Sequence, residues 1–217
     1  MARLQTLRIT CAPGLEGLLA EELTSFGFAK LTPSEGAVQV AAPLSAIPQL
    51  HRSRIGSRVW LTIARANVHN KAQLAAMMGS VRWGKYRVFG EPLQTKLAAV
   101  RSALWHSEMV DEVMRAEIDP SSGDEEGGTR LLLRIDRDRA TLRLDCSGNG
   151  LHRRGYRGKS GSAPLREDLA AGCLAALAWT PAEALLDPCC GTGTFVIEAA
   201  RIAFDRPPRS DWAFTAW

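Results

Sequence analysis

Hydrophobic and polar positions alternate with two periods along this chain. LQTLRITCA reads as a first strand. In PGLEGLLAEELTSFGF, Leu15, Leu18, Leu19 and Leu23 recur at helical spacing, and Gly27 marks the stop. GAVQVAA predicts a short strand. LSAIPQLHRSRI predicts a second helix that Pro48 must shorten or kink. SRVWLTIARA, rich in β formers, predicts a third strand. This β-α-β-α-β run predicts a small α+β unit over residues 1–66.

A second unit is predicted over residues 67–148. NKAQLAAMMGSV reads as a helix. TKLAAVRSALWHSEMVDEVMRA reads as another, with Leu97, Val100, Leu104, Val110 and Val113 at helix-like intervals. EIDPSSGDEEGG predicts an acidic, solvated loop. RLLLRI, the turn DRDR and ATLRLDC form the clearest hairpin pattern in the chain. Leu131, Leu133 and Ile135 take one face of its first strand, and Leu142, Leu144 and Cys146 one face of its second. Arg134 and Arg143 fall on the alternate faces, where they meet RNA or pair with acids such as Asp145.

SGNGLHRRGYRGKSGSA then shifts the composition to glycine, serine and cations, without an acid, and marks a boundary opening a third region, 149–217. In PLREDLAAGCLAALAW a helix is expected. Ser162 is its candidate N-cap, Pro164 lies in its first turn, and Glu167 and Asp168 face the positive end of its dipole. PAEALLDPCCGTGTFVIEAARIAF predicts strand, turn and helix, with the strand ending at Asp187.

Composition changes this picture little. The 217 residues are 46% hydrophobic, ordinary for a globular protein, and no apolar run approaches a membrane span of ~20 residues. MARLQTLRIT lacks a signal-peptide core, so a cytoplasmic location is expected. The five cysteines fit neither a disulfide framework nor a CxxC metal site, so reduced thiols and no metal are expected. A net charge of +4 and a pI near 9.0 mildly favour an anionic partner. Arginine far outnumbers lysine, which suits bidentate phosphate contacts and equally suits a GC-rich genome.

The chemistry concentrates at LLDPCCGTGT. Three ligand loops follow a strand and open a helix. A P-loop needs a lysine that is missing here, and a dinucleotide fingerprint needs a third small residue where Val196 stands. The first loop of a class I methyltransferase remains. There Gly191 and Gly193 let the backbone approach S-adenosylmethionine, the N–H groups near Thr194 suit its carboxylate, and Asp187 reaches its polar part. A structural corner, in which the glycines only permit a tight turn, stands beside this reading. In LHRRGYRGK, Tyr156 sits among Arg153, Arg154, Arg157 and Lys159. That mixture suits RNA backbone contact and stacking, or else a linker whose arginines bind acids of neighbouring domains.

LLDPCCGTGTFVIEAARIAFDRPP closely resembles a segment of the bacterial large-subunit rRNA guanine-N2 methyltransferases that carry a THUMP domain. CAPGLEGLLAEEL resembles the start of those proteins, and LDCSGNGLHRRGYR with APLREDLAAGCL resembles their connector and the helix before the cofactor loop. The resemblance implies α+β ferredoxin-like and THUMP units followed by the start of an α/β Rossmann-like class I methyltransferase domain, incomplete here. It implies S-adenosyl-L-methionine as cofactor and RNA, 23S rRNA, as partner. It carries cofactor contacts over to Pro164, Leu165, Glu167, Asp187, Pro188, Cys190, Gly191, Gly193 and Thr194. The family's Asn/Asp-Pro-Pro-aromatic motif, which holds the target base, has no counterpart: Pro207-Pro208 is followed by Arg209. No catalytic residue is therefore expected here, and the chain alone is expected to turn nothing over. The other class of reading is a non-catalytic RNA-binding module that keeps a vestigial cofactor loop.

Overall fold

The computed structural model describes residues 3–86, 93–100, 107–117, 129–156 and 164–208. Along the chain come β1 (Gln5–Thr10), α1 (Glu16–Ser25), β2 (Thr32–Ser34), β3 (Ala37–Ala42), α2 (Ile47–Leu50) and β4 (Arg58–Asn67). They are followed by α3 (Lys71–Gly79), β5 (Leu93–Val100), α4 (Ser107–Glu117), β6 (Thr129–Asp136), β7 (Arg139–Asp145), α5 (Glu167–Ala176) and α6 (Thr194–Ala203). The chain divides into two compact units. One is drawn from Met1–Val59 and Asn149–Ala213, the other from Trp60–Gly148.

In the first unit β1 pairs antiparallel with β3, and β3 with β2. Leu7, Ile9, Val38 and Val40 turn inward onto Leu19 and Leu23 of α1, Ile47 and Leu50, all at most 1% exposed. Burying each such side chain stabilises by about 1.5–3 kcal/mol. Pro48 sits in the first turn of α2, where its missing N–H costs nothing, and the helix is four residues long. Gly27 (φ +88°) ends α1, as its position in the pattern implies.

The second unit orders its strands β4-β7-β6-β5, with β5 parallel to β6 and the other pairs antiparallel. The hairpin is as its pattern predicts: Leu131, Leu133, Ile135, Leu142, Leu144 and Cys146 are all 0% exposed. Its tip is Arg137 and Asp138, both at positive φ (49° and 61°), the twist that two-residue hairpins favour. α3 opens on Asn70, whose side chain accepts from the Gln73 N–H at 3.0 Å.

Two expectations need correction. The long helix through Leu97 and Val100 does not form: those residues lie in β5, paired with Leu133 and Asp136, and among the described residues the helical part is Ser107–Glu117. A parallel neighbour outweighs a weak 3.6-residue period. Val110 and Val113 are buried on α4 as predicted, whereas Leu104 and most of the acidic loop lie outside the described residues. Likewise α5 starts at Glu167 rather than near Ser162, which lies outside the described residues. Its N-cap is Arg166, with no side-chain cap, and Pro164 precedes the helix.

Candidate functional site

The glycine turn lies in the first unit, between an extended segment and α6. The strand expected before Asp187 is absent: among the described residues no strand pairs with 184–187, and Leu186 is 87% exposed. A strand forms only where a neighbour accepts its backbone hydrogen bonds. The Asp187 carboxylate accepts the Cys189 N–H at 3.1 Å, folding the chain over Pro188 as an Asx-type turn. The Gly193 N–H then donates to the Cys190 carbonyl at 2.7 Å. Gly191 and Gly193 have φ of +52° and +75°, and Gly193 is the N-cap of α6. A Cβ at Gly193 would meet nothing closer than 3.7 Å, and one at Gly191 nothing closer than 4.0 Å. The backbone angle, not crowding by the protein, requires glycine there.

Thr194 begins α6. Its side chain is buried, and its Oγ1 donates to the Leu165 carbonyl at 3.5 Å and lies 3.3 Å from Thr192 Oγ1. The segment before α5 and the start of α6 thereby meet at Leu165 and Thr194. Glu167, two residues on, is 4% exposed in the first turn of α5, and Pro164 is half-buried. Pro188, Cys190 and Gly191 are exposed on the turn. The first-turn N–H groups of a helix lack intrahelical acceptors and favour an anion.

α5 is itself held from the N-terminal residues. Asp168, fully buried, accepts from Ser57 Oγ at 2.6 Å and from the Arg166 guanidinium at 2.5 and 3.1 Å. Gly172 lets α1 approach: a Cβ there would stand 2.5 Å from Leu15 Cδ1.

α6 is held by the connector. Arg154, which the sequence offered as an RNA contact, has a fully buried side chain. Its Nε lies 3.5 Å from Glu198, itself 0% exposed, and its Nη atoms donate to the carbonyls of Leu151 and Arg54. Tyr156 donates its hydroxyl to Glu198 at 3.0 Å, and Arg201 lies 5.6 Å from its ring centroid. Arg154 thus belongs to the linker reading: its charge is spent on α6 and cannot face solvent. Arg153 is exposed, while Arg157 and Lys159 lie outside the described residues. Beside this cluster Glu22 accepts from Ser53 Oγ at 2.5 Å and the Arg54 N–H at 2.7 Å. Burial raises its pKa against those bonds. Burial likewise lowers that of Arg54.

Sequence reasoning missed Glu198, Glu22 and Ser57, and it read Asp168 as a charge at the helix dipole rather than as a buried acceptor. Glu198 did leave a signal, an acid flanked by Ile197, Ala199 and Ala200. The five cysteines are all free, and burial pushes the Cys11 thiol up to about 11. Among the described residues no cluster of metal-ligating side chains occurs, and no helix is long and apolar enough to cross a membrane.

Two family models match: the RlmL ferredoxin-like domain over residues 6–60 and the RMKL-like methyltransferase domain over 154–216. The chain is 36% identical, over 97% of its length, to ribosomal RNA large subunit methyltransferase K/L of Pseudomonas putida, covering 31% of that protein. It is 37% identical over 96% of its length to the protein of the same name from Syntrophotalea carbinolica, covering 32% of it. It therefore spans about a third of the length of the curated relatives it matches. Among solved structures it superposes on a predicted N6-adenine-specific DNA methylase from Listeria monocytogenes. There the TM-score is 0.83 at 28% identity, over 95% of this chain and 57% of that one. It also superposes on SMU.472 complexed with SAH, with a TM-score of 0.85 at 26% identity, over 100% of this chain and 61% of that one. An RlmL ferredoxin-like match thus precedes an RMKL-like methyltransferase match in a chain that is similar, over 97% of its length, to about a third of a ribosomal RNA large subunit methyltransferase K/L.

Proposed function

We propose that this chain forms part of an S-adenosylmethionine-dependent methyltransferase of large-subunit rRNA and that its own share of the work is to hold the cofactor. The observation that carries this is the turn at Asp187–Thr194: two glycines at positive φ open α6 beneath a buried threonine fastened to Leu165. Bound there, the cofactor supplies an electrophilic methyl group on sulfonium. Asp187 provides an acceptor for its polar atoms. Gly191 and Gly193 keep side chains off the approach, and the start of α6 offers N–H groups to its carboxylate. The relatives' names support large-subunit rRNA as substrate, and the resemblance narrows the target to the exocyclic N2 amine of a guanine in 23S rRNA. Residues 1–66 are read as ferredoxin-like, 67–148 as a THUMP RNA-binding domain and 149–217 as connector and first part of the methyltransferase domain. Arg153 keeps its place as an RNA contact.

Calorimetric titration of S-adenosylmethionine into the full chain tests the cofactor reading. Asp187→Ala should weaken binding roughly 10- to 100-fold, the loss of a charge-assisted hydrogen bond. Gly193→Val should abolish it, since a β-branched residue cannot hold φ near +75°. Unchanged affinity in both variants would return the turn to a structural corner.

A further inference from the structure

Both helices that flank the glycine turn are tied to one short loop, residues 53–57, between α2 and β4. Ser57 holds α5. Its hydroxyl donates to Asp168 Oδ2 at 2.6 Å and accepts from Arg166 Nη2 at 3.1 Å, at the first turn of that helix. Arg54 holds α6 by two routes. Its Nη2 donates to the Arg201 carbonyl at 3.3 Å. Its own carbonyl accepts from Arg154 Nη2 at 2.6 Å, and the same arginine lies 3.5 Å from Glu198 through Nε. Glu198 and Arg201 are three residues apart on one face of α6, so the two routes fix the rotation of the helix as well as its position.

The loop is itself held firmly. Glu22 of α1 accepts from the Ser53 hydroxyl at 2.5 Å and from the Arg54 N–H at 2.7 Å. The Gly56 N–H donates to Ser53 Oγ at 2.7 Å, and the Ser57 N–H donates to the Thr10 carbonyl at 2.6 Å. Ser53 is fully buried, and a Cβ at Gly56 would stand 2.8 Å from both Ile9 and Ser53. A continuous set of contacts therefore runs from α1 and β1 through five residues to both sides of the turn.

We infer that this loop is a positioning element for the cofactor turn: Ser57 and Arg54, neither of them part of the turn, set the spacing of α5 and α6 and through it the affinity for S-adenosylmethionine. The inference rests on the cofactor reading of the turn proposed above and deepens it. Thr194 Oγ1 and the Leu165 carbonyl meet across the site at 3.5 Å, a long bond that a small rotation of either helix would break. A binding site must be held to within about 0.5 Å, and the loop supplies that from outside the turn. By linkage, whatever the loop does to cofactor affinity, the cofactor must do to the loop.

The test titrates S-adenosylmethionine calorimetrically into the full chain and its variants, each well below its melting temperature. Ser57→Ala and Arg54→Met should each weaken binding about fivefold or more. Ser57→Thr, which keeps the hydroxyl, should bind nearly as the parent does. Ser34→Ala, which removes a hydroxyl that accepts from Arg8 at 2.8 Å in the same unit, should bind unchanged. In the parent chain the cofactor should slow amide exchange at Gly56 and Ser57 more than across the β1–β3 pair, which a merely structural loop would not show. Parent-like affinity in both Ser57→Ala and Arg54→Met, equal loss in Ser34→Ala, or no added protection at Gly56 and Ser57 would overturn the inference. A parent chain that takes up no S-adenosylmethionine would overturn the cofactor reading, and this inference with it. Exchange is read on the unmutated chain, so it decides the matter should Arg54→Met fail to fold.

Discussion

The β6–β7 hairpin and the connector entering α6 bury comparable side chains by opposite means. The hairpin buries six apolar residues on one face, and every backbone group in its middle finds a partner across the register. The connector buries an arginine against a glutamate, with a tyrosine hydroxyl donating to the glutamate and two carbonyls accepting from the arginine. Leucines on a pleated face tolerate exchange, because any apolar group of similar volume satisfies them. A buried ion pair tolerates loss of neither member, since the one left behind has no water to solvate it. The first arrangement specifies a strand face; the second specifies which residue of the connector meets which residue of α6, and so where the glycine turn sits.

The comparison breaks most sharply at Glu198. Glu198→Ala should cost about 3–5 kcal/mol of stability by leaving Arg154 buried and uncompensated. Arg154→Met with Glu198→Leu should recover most of it, as chemical denaturation of the single and the double variant would show. Loss below about 1 kcal/mol in the single variant would mean that solvent reaches the pair. Leu133→Ala should cost about 2–5 kcal/mol, with no rescue by any one partner, since its packing is spread over several neighbours.

The smallest effect expected is at Glu16, whose partly exposed carboxylate accepts the N–H groups of Gly36 at 2.7 Å and Gly14 at 2.9 Å. The Gly36 bond foremost lowers its pKa. A lowered folded pKa gives stability that is present above the unfolded value of about 4.3 and lost as pH falls through the folded one. Glu16→Gln should therefore melt slightly lower at neutral pH, and the gap should close in acid. A gap that widens in acid would contradict that hydrogen-bonding assignment.

These regions also differ in how far the sequence revealed them. The hairpin was legible to the residue because period-two alternation and its turn act locally. Gly191, Gly193 and Asp187 were legible because a positive φ and an acid at a turn leave marks in residue type. The strand before Asp187 was misread because a strand depends on a neighbour as well as on its own apolar run. β5 was misread for the same reason in reverse: its parallel partner β6 lies more than thirty residues on. Arg154 stood between an RNA contact and a linker cation because sequence shows a charge but not what stands beside it. Glu198 is 44 residues away, and only the fold brings the two together.

Amide hydrogen exchange of the full chain with and without saturating S-adenosylmethionine tests the central claim most directly, since it reads both regions at once. Slowed exchange is expected over the turn and the first turn of α6, residues 189–197, with the β6–β7 amides unchanged. Unchanged exchange at the turn, or protection appearing in the hairpin instead, would contradict it.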